Sequence, residues 1–227
     1  VRTESMRIAV DAMGGDHAPR EVVKAAVQAA AEQTRPSKII LVGDQKAIEQ
    51  ELGRLGPVSP KIEIRHASEV IGMNEVPAQA VRRKKDSSIS RAVDMVKDGE
   101  ADAVVSAGNT GAMVVVSTLK LRTLDGIDRP ALATIMPTQG RPFVLIDAGA
   151  NPDCDARLLL QFAVMGSVYS SVVVGQTNPV VGLLSIGGED FKGNEQTKQV
   201  FSMLGRSSLN FRGNVEGHDL FKGETDV

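Results

Sequence analysis

The repeated unit of strand, glycine turn and helix constrains this chain more than any other feature. It is set at the start: Ile8-Ala9-Val10 reads as a short buried strand, Asp11 to His17 as a polar turn around Gly14 and Gly15, and a helix opens near Pro19. Proline suits the first turn of a helix, where a missing N–H costs nothing. The unit recurs in Lys38–Val42 with Gly43-Asp44 and a helix through Leu52, and in Ala103–Val105 with Gly108-Asn-Thr-Gly111 and a helix from Ala112 to about Arg122. Val180–Ser185 leads the same way into a helix over Asn194–Leu204. Between these lie helices over Glu21–Glu32 and Asp155–Tyr169, a strand at Ile62–Ile64, and a helix that Ser87 or Ser88 caps and Gly99 closes. Val172-Val-Val174 reads as strand-like, and Ala131–Met136 pairs with Phe143–Ile146 across the Pro137–Pro142 turn. Alternation of this kind predicts an α/β fold: an open, largely parallel, Rossmann-like sheet with helices on both faces and some antiparallel content. One domain is expected over residues 6–227, with Val1–Ser5 as upstream or tag-like residues.

Composition closes off several classes. At 227 residues and 42% apolar content the chain buries a sizeable core. A net charge of −2 gives no global pull toward nucleic acid. Cys154 is the single cysteine, so neither a disulfide framework nor a cysteine metal site is expected, and a reducing cytoplasm is the natural compartment. No signal-like N-terminal stretch is found, and no run approaches the ~18 apolar residues expected of a membrane span. Histidines 17, 66 and 218 are scattered without ligand spacing, so no metal is expected.

Four glycine turns carry the chemistry: Asp11–His17, Ser106–Gly111, Asp147–Asn151 and Gly187–Asn194. In a parallel sheet all four would lie along the carboxyl edge and face one crevice, where open α/β sheets bind ligands. Ser106-Ala-Gly108-Asn109-Thr110-Gly111 is the best phosphate cradle, with small residues for close backbone approach and two hydroxyls at the mouth of a helix. Neither a Walker lysine nor a dinucleotide fingerprint is present, so ATP and NAD are not indicated and no cofactor is expected. Lys192, just before a helix, is a mobile cation for phosphate or a developing oxyanion, or else a solvated loop lysine. His17 suits a general base or phosphate donor, and equally a cap or turn stabiliser. Asp11 and Asp147 either orient donors in the crevice or satisfy backbone N–H groups in their own turns. Carboxylates beside Cys154 would raise its thiol pKa and argue against a nucleophile. Arg82, Arg83, Lys84 and Lys85 form either a solvated helix face or a patch for an acidic partner.

Five ordered blocks resemble the bacterial phosphate acyltransferase family of phospholipid synthesis: Met6–Asp16 with its Asp-Ala-Met-Gly-Gly-Asp turn, Met73–Pro77 leading to Arg82–Ile89, Ser106–Ala112, Ile186–Glu195 and Phe211–Glu216. The resemblance implies a fold of the phosphate acetyltransferase and isopropylmalate dehydrogenase type. It implies an acyltransferase that moves a fatty acyl group from acyl carrier protein to inorganic phosphate, giving acyl phosphate for a membrane glycerol-3-phosphate acyltransferase. On that reading Gly14, Gly15, Asp16, Ser106, Gly108, Asn109, Thr110, Gly111, Asp147 and Asn151 hold substrate. Lys192 steadies charge, while Asp11, His17 and Asn194 orient the site. The Arg82–Lys85 cluster receives the acidic carrier. The family also implies a homodimer, cytoplasmic and peripheral at the inner face of the membrane, and further sequence beyond Val227. The rival expectations are a phosphotransacetylase-like enzyme using coenzyme A and a non-catalytic scaffold that binds carrier protein.

Overall fold

The structure is a computed structural model that describes residues 6–33, 35–188 and 193–227. The contacts fall into two compact units, 1–122 and 123–227, the first built on a four-stranded sheet and the second on two strand pairs.

The first unit is a parallel four-stranded sheet in the order β3-β2-β1-β4, built from β1 (Met6–Asp11), β2 (Pro36–Gly43), β3 (Ile62–His66) and β4 (Ala103–Ser106). Parallel strands buried on both faces need continuous apolar runs, and Ile39 to Val42 supply one. On one face Val10 and Leu41 pack with Val23, Ala26 and Ala30 of α1 (Arg20–Glu32) and Ile48 of α2 (Gln45–Leu55). On the other, Ala9, Ile40 and Val42 meet Ala92 and Met95 of α4 (Ser88–Lys97). Helices thus cover both faces, as expected. The register pairs Ile8 with Ala103 and Asp11 with Ser106. Arg7 clamps the opposite ends of the same strands, its main-chain N–H and guanidinium both donating to Asp102 at 2.8 and 2.9 Å.

The second unit holds an antiparallel pair, β5 (Ala133–Met136) with β6 (Phe143–Ile146), and a parallel pair, β7 (Val180–Leu184) with β8 (Asn210–Val215). The antiparallel hairpin was read from the sequence; the strand β8 was not. Residues 225–227 knit the two pairs together: Val144 N donates to the carbonyl of Asp226, and Gly182 N to that of Val227, both at 2.9 Å. Helix α6 (Ala156–Tyr169) lies on this seam, so close that a Cβ at Gly166 would stand 2.5 Å from Val227 and 2.8 Å from Ile146. A further helix, α7 (Glu195–Gly205), packs Val200 and Leu204 into the same core.

Three local expectations are corrected. Val172–Val174 is not strand-like; it belongs to a π-helical turn, Ser170–Val174, that prolongs α6 to a left-handed Gly175. The resulting stretch Ala156–Val174 is long and apolar enough to cross a membrane by length and composition, against the sequence reading that no run came close, but Phe162, Ala163 and Gly166 are buried in the unit's core. Ser87 occupies the N-cap of α4 without its hydroxyl capping the helix; that oxygen is buried with no partner among the described residues. A helix missed in the sequence, α3 (Pro77–Arg83), opens on Pro77, and α5 (Thr110–Leu121) follows β4.

Three carboxylates have pKa values lowered to about 2: Glu75 by a hydrogen bond from Lys84, Asp86 by one from Ser68, and Asp102 by one from Arg7. Carboxylates lowered in the folded state contribute stability that is complete above their unfolded values of 4.5 and 3.8 and is lost as pH falls toward about 2. The urea midpoint is therefore expected to stay level above pH ~5 and to drop steadily below pH ~4.5, with a shallower drop in Asp102→Asn. A midpoint that rises on acidification would refute this.

Candidate anion-binding site

The register of β1 against β4 brings the first two glycine turns together. Asp11, only 3% exposed, ends β1 beside Ser106 at the end of β4. The Ser106 hydroxyl donates to Asp11 Oδ2 at 2.7 Å, and Gly108 N donates to Ser106 Oγ at 3.0 Å. The other Asp11 oxygen accepts from Met13 N at 3.2 Å. Asp11 thus accepts both from its own turn and from the Ser106 hydroxyl.

Over this pair the two loops meet backbone to backbone. A Cβ on Gly14 would stand 2.6 Å from Asp11 Oδ2 and 2.8 Å from Gly108 N; one on Gly108 would stand 3.1 Å from Gly14 Cα. Only hydrogen fits at Gly14, and at Gly108 a methyl group would be tight against its neighbours. Gly15 has φ +107°, a left-handed backbone that favours glycine, and turns the chain past Ala107. Asp16 and His17 are exposed just beyond, and no side-chain bond holds either among the described residues.

Asn109 caps α5 through Oδ1, which accepts from Ala112 N at 3.0 Å. Its amide nitrogen donates toward the carbonyls of Gly72, Met73 and Glu75, at 3.0 to 3.2 Å. The side chain is thus fully engaged by backbone and holds a neighbouring loop, where the sequence had placed it against substrate. Thr110 and Gly111, the first residues of α5, keep main-chain N–H groups that no helix carbonyl reaches. With the exposed Thr110 hydroxyl these donors make the cradle, while Ser106, its proton given to Asp11 and its oxygen accepting from Gly108 N, holds the loop in shape. It suits an anion by hydrogen bonding and by the positive end of the helix dipole. Gly111 lies against Pro77, 2.5 Å from where a Cβ would sit to its Cγ.

The basic cluster divides. Lys84 bonds to Glu75 and to the Val70 carbonyl, and Arg83 bridges Glu75 at 2.8 Å. Arg82 and Lys85 are exposed and make no ion pair among the described residues. Sequence reasoning overlooked Glu75 altogether; an acid eight and nine residues before two bases, with a helix-opening proline between, was the available signal.

In the second unit, Asp147 accepts from the main-chain N–H groups of Leu132, Ala150 and Asn151 and from the Asn151 amide. Burial pushes its pKa up, but these bonds outweigh it and leave the carboxyl below the ordinary value. Asn151 also donates to the Pro130 carbonyl. Both side chains stabilise their own turn. Asn194 caps α7 by accepting from Thr197 N at 2.9 Å. The Cys154 thiol is pushed up, first by burial and then by nearby carboxylates, Asp147 foremost. Lys192 lies outside the described residues. The first two glycine turns end adjacent strands of one sheet, the third follows a strand of the antiparallel pair, and the fourth follows a strand of the β7–β8 pair. Among the described residues no three His, Cys, Asp or Glu side chains gather as a metal site.

Gly14→Ala is expected to destabilise the protein by about 1–3 kcal/mol, because neither a carboxylate in its turn nor a main-chain nitrogen has room to yield. Gly53→Ala, in α2 with nothing within 4 Å, should instead stabilise by about 0.5–1 kcal/mol. Urea unfolding of the two variants checks the pair, and equal effects would contradict the geometry.

Known proteins resemble this arrangement at two levels. The family described as "Fatty acid synthesis protein" matches residues 6–227. A phosphate acyltransferase of Desulforamulus reducens is 52% identical over 98% of the chain, one of Pelotomaculum thermopropionicum 53% over 98%, and one of Alkalilimnicola ehrlichii 49% over 99%. The chain spans 64 to 66% of the length of these relatives. Among solved structures, a phosphotransacetylase from Streptococcus pyogenes aligns with a TM-score of 0.70 at 18% identity, covering 98% of this chain and 74% of its own. A putative 4-hydroxythreonine-4-phosphate dehydrogenase from Salmonella typhimurium aligns with a TM-score of 0.59 at 12% identity, covering 98% and 80%. These two likenesses establish the α/β fold alone. The sequence match establishes more: the chain belongs to the fatty acid synthesis protein family.

Proposed function

We propose that the chain holds inorganic phosphate in the Ser106–Gly111 cradle for acyl transfer from a thioester. The observation that carries this reading is the clasp of Asp11, Ser106, Gly14 and Gly108, which fixes the loop that leads into the free main-chain N–H groups at the opening of α5. Phosphate is itself a competent nucleophile, so the site has only to hold it and stabilise charge. A phosphate oxygen attacks the thioester carbonyl and the C–O bond forms. The tetrahedral oxyanion then collapses, the C–S bond breaks, and the thiol leaves with the proton that phosphate gives up. Acyl phosphate and free thiol are the products.

The finer parts of the proposal rest on the family. The donor is acyl carrier protein, and the product serves phospholipid synthesis through a membrane acyltransferase. The working form is a homodimer in the cytoplasm, peripheral at the membrane. Lys192 steadies the oxyanion, and His17, exposed beside the clasp, takes part in phosphate binding. Names of relatives at about half identity over nearly the whole chain support the acyl-to-phosphate chemistry.

The test mixes long-chain acyl carrier protein and inorganic phosphate with this chain and with the Desulforamulus reducens relative, trapping acyl phosphate with hydroxylamine. Product is expected, with the Michaelis constant for phosphate raised at least about tenfold in Ser106→Ala. Absence of acyl phosphate from both proteins, each folded, would overturn the proposal. Acceptance of acyl-coenzyme A in preference to the carrier would overturn the donor assignment.

A further inference from the structure

The segment from Val70 to Lys85 is rigid, exposed and apolar at its centre, a combination that the anion site does not explain. Val70, Met73 and Val76 are 37, 46 and 59% exposed, three large apolar side chains within seven residues. The loop that carries them is nonetheless tightly held. Asn109 grips three of its carbonyls, the Glu75 carboxylate accepts from Gly72 N at 2.8 Å, and Lys84 ties Glu75 to the Val70 carbonyl. A loop fixed by so many polar contacts while presenting apolar side chains to water has the character of a preorganised contact surface.

Charge gives the kind of partner. The acids of the segment are neutralised from within: Glu75 by Arg83 and Lys84, Asp86 by Arg91 and the Ser68 hydroxyl. What remains outward is Arg82 at the end of α3 and Lys85 just past it, both exposed. They are the chain neighbours of Arg83 and Lys84, the two residues that bridge to Glu75 of the Met73–Val76 loop. An apolar centre with cations at the rim fits an acidic protein surface that carries an apolar side chain of its own.

From this juxtaposition we infer that Met73 and Val76, rimmed by Arg82 and Lys85, are the docking surface for an acidic acyl-donor protein, with Arg83 and Lys84 as internal struts. The inference rests on the proposed acyl transfer for its purpose. Asn109 joins the loop to α5 and Pro77 touches Gly111, so a donor seated here delivers its thioester beside the cradle.

The test measures binding of purified acyl carrier protein to this chain by fluorescence anisotropy across a salt series. The variants are Arg82→Glu with Lys85→Glu, Met73→Ser with Val76→Ser, and Lys46→Glu on the exposed face of α2 as control. Charge reversal is expected to weaken binding at least about tenfold and flatten its salt dependence, the loop pair to weaken it several-fold, and the control to leave it unchanged. Turnover of a short acyl-pantetheine thioester should be the same in all of them. Carrier binding that is indifferent to both pairs, or equally reduced by the control, would overturn the surface. So would retention on phosphatidylglycerol vesicles, abolished by the same reversals, without carrier binding. Binding that follows the surface without acyl phosphate formation would leave the docking inference standing and the proposed reaction refuted.

Discussion

Two loops from adjacent parallel strands approach until main chain touches main chain, and a buried carboxylate beneath them takes the proton of a serine hydroxyl in a 2.7 Å hydrogen bond. Everything assigned to the first unit depends on this contact. The register that sets Asp11 opposite Ser106 fixes where the loops leave the sheet. Glycine at 14 and 108 lets them close, since a methyl group would strike backbone and carboxylate at 14 and crowd them at 108. Closure orients the Ser106 oxygen and places it next to the first N–H groups of α5. The candidate anion site is thus a consequence of strand register and the absence of two side chains.

Its supports extend outward in a chain of bonds. Asn109 links the opening of α5 to the Gly72–Val76 loop; Glu75 links that loop to the end of α3 through Arg83 and Lys84. Each link is a polar side chain holding backbone or a partner charge, which is how buried or half-buried polar groups avoid an unpaired cost. The same economy governs the second unit, where Asp147 and Asn151 lock one turn and Asn194 starts α7. Residues that read alike in sequence, an Asn or Asp beside glycine, divide here into those that shape loops and those that remain open to solvent.

That division marks how far the sequence could be read. Strands of continuous β-branched residues and glycine-ended turns announced the parallel sheet, the helices on both its faces and the antiparallel hairpin, because periodicity and turn chemistry are local. The pairing of Asp11 with Ser106, 95 residues apart, was foreseeable only as a shared sheet edge. Asn109 stands just before an apolar helical run, a capping signature that competes with ligand binding at the same position. Its grip on a loop more than thirty residues earlier is a tertiary fact. The basic run Arg82–Lys85 looked uniform because its divider, Glu75, is brought to it by the turn into α3. Val172–Val174 misled by composition: β-branched residues suggest strand, but here they prolong a helix already packed in the core.

Amide NMR of the isotopically labelled chain, titrated with inorganic phosphate, tests most directly whether the clasped loops form the phosphate site. Saturable shifts concentrated at Gly14, Gly15, Gly108, Thr110 and Gly111, lost in Ser106→Ala while the rest of the spectrum holds, are the predicted result. Shifts confined to other turns, or none at all up to phosphate concentrations that saturate catalysis in the longer relatives, would contradict it.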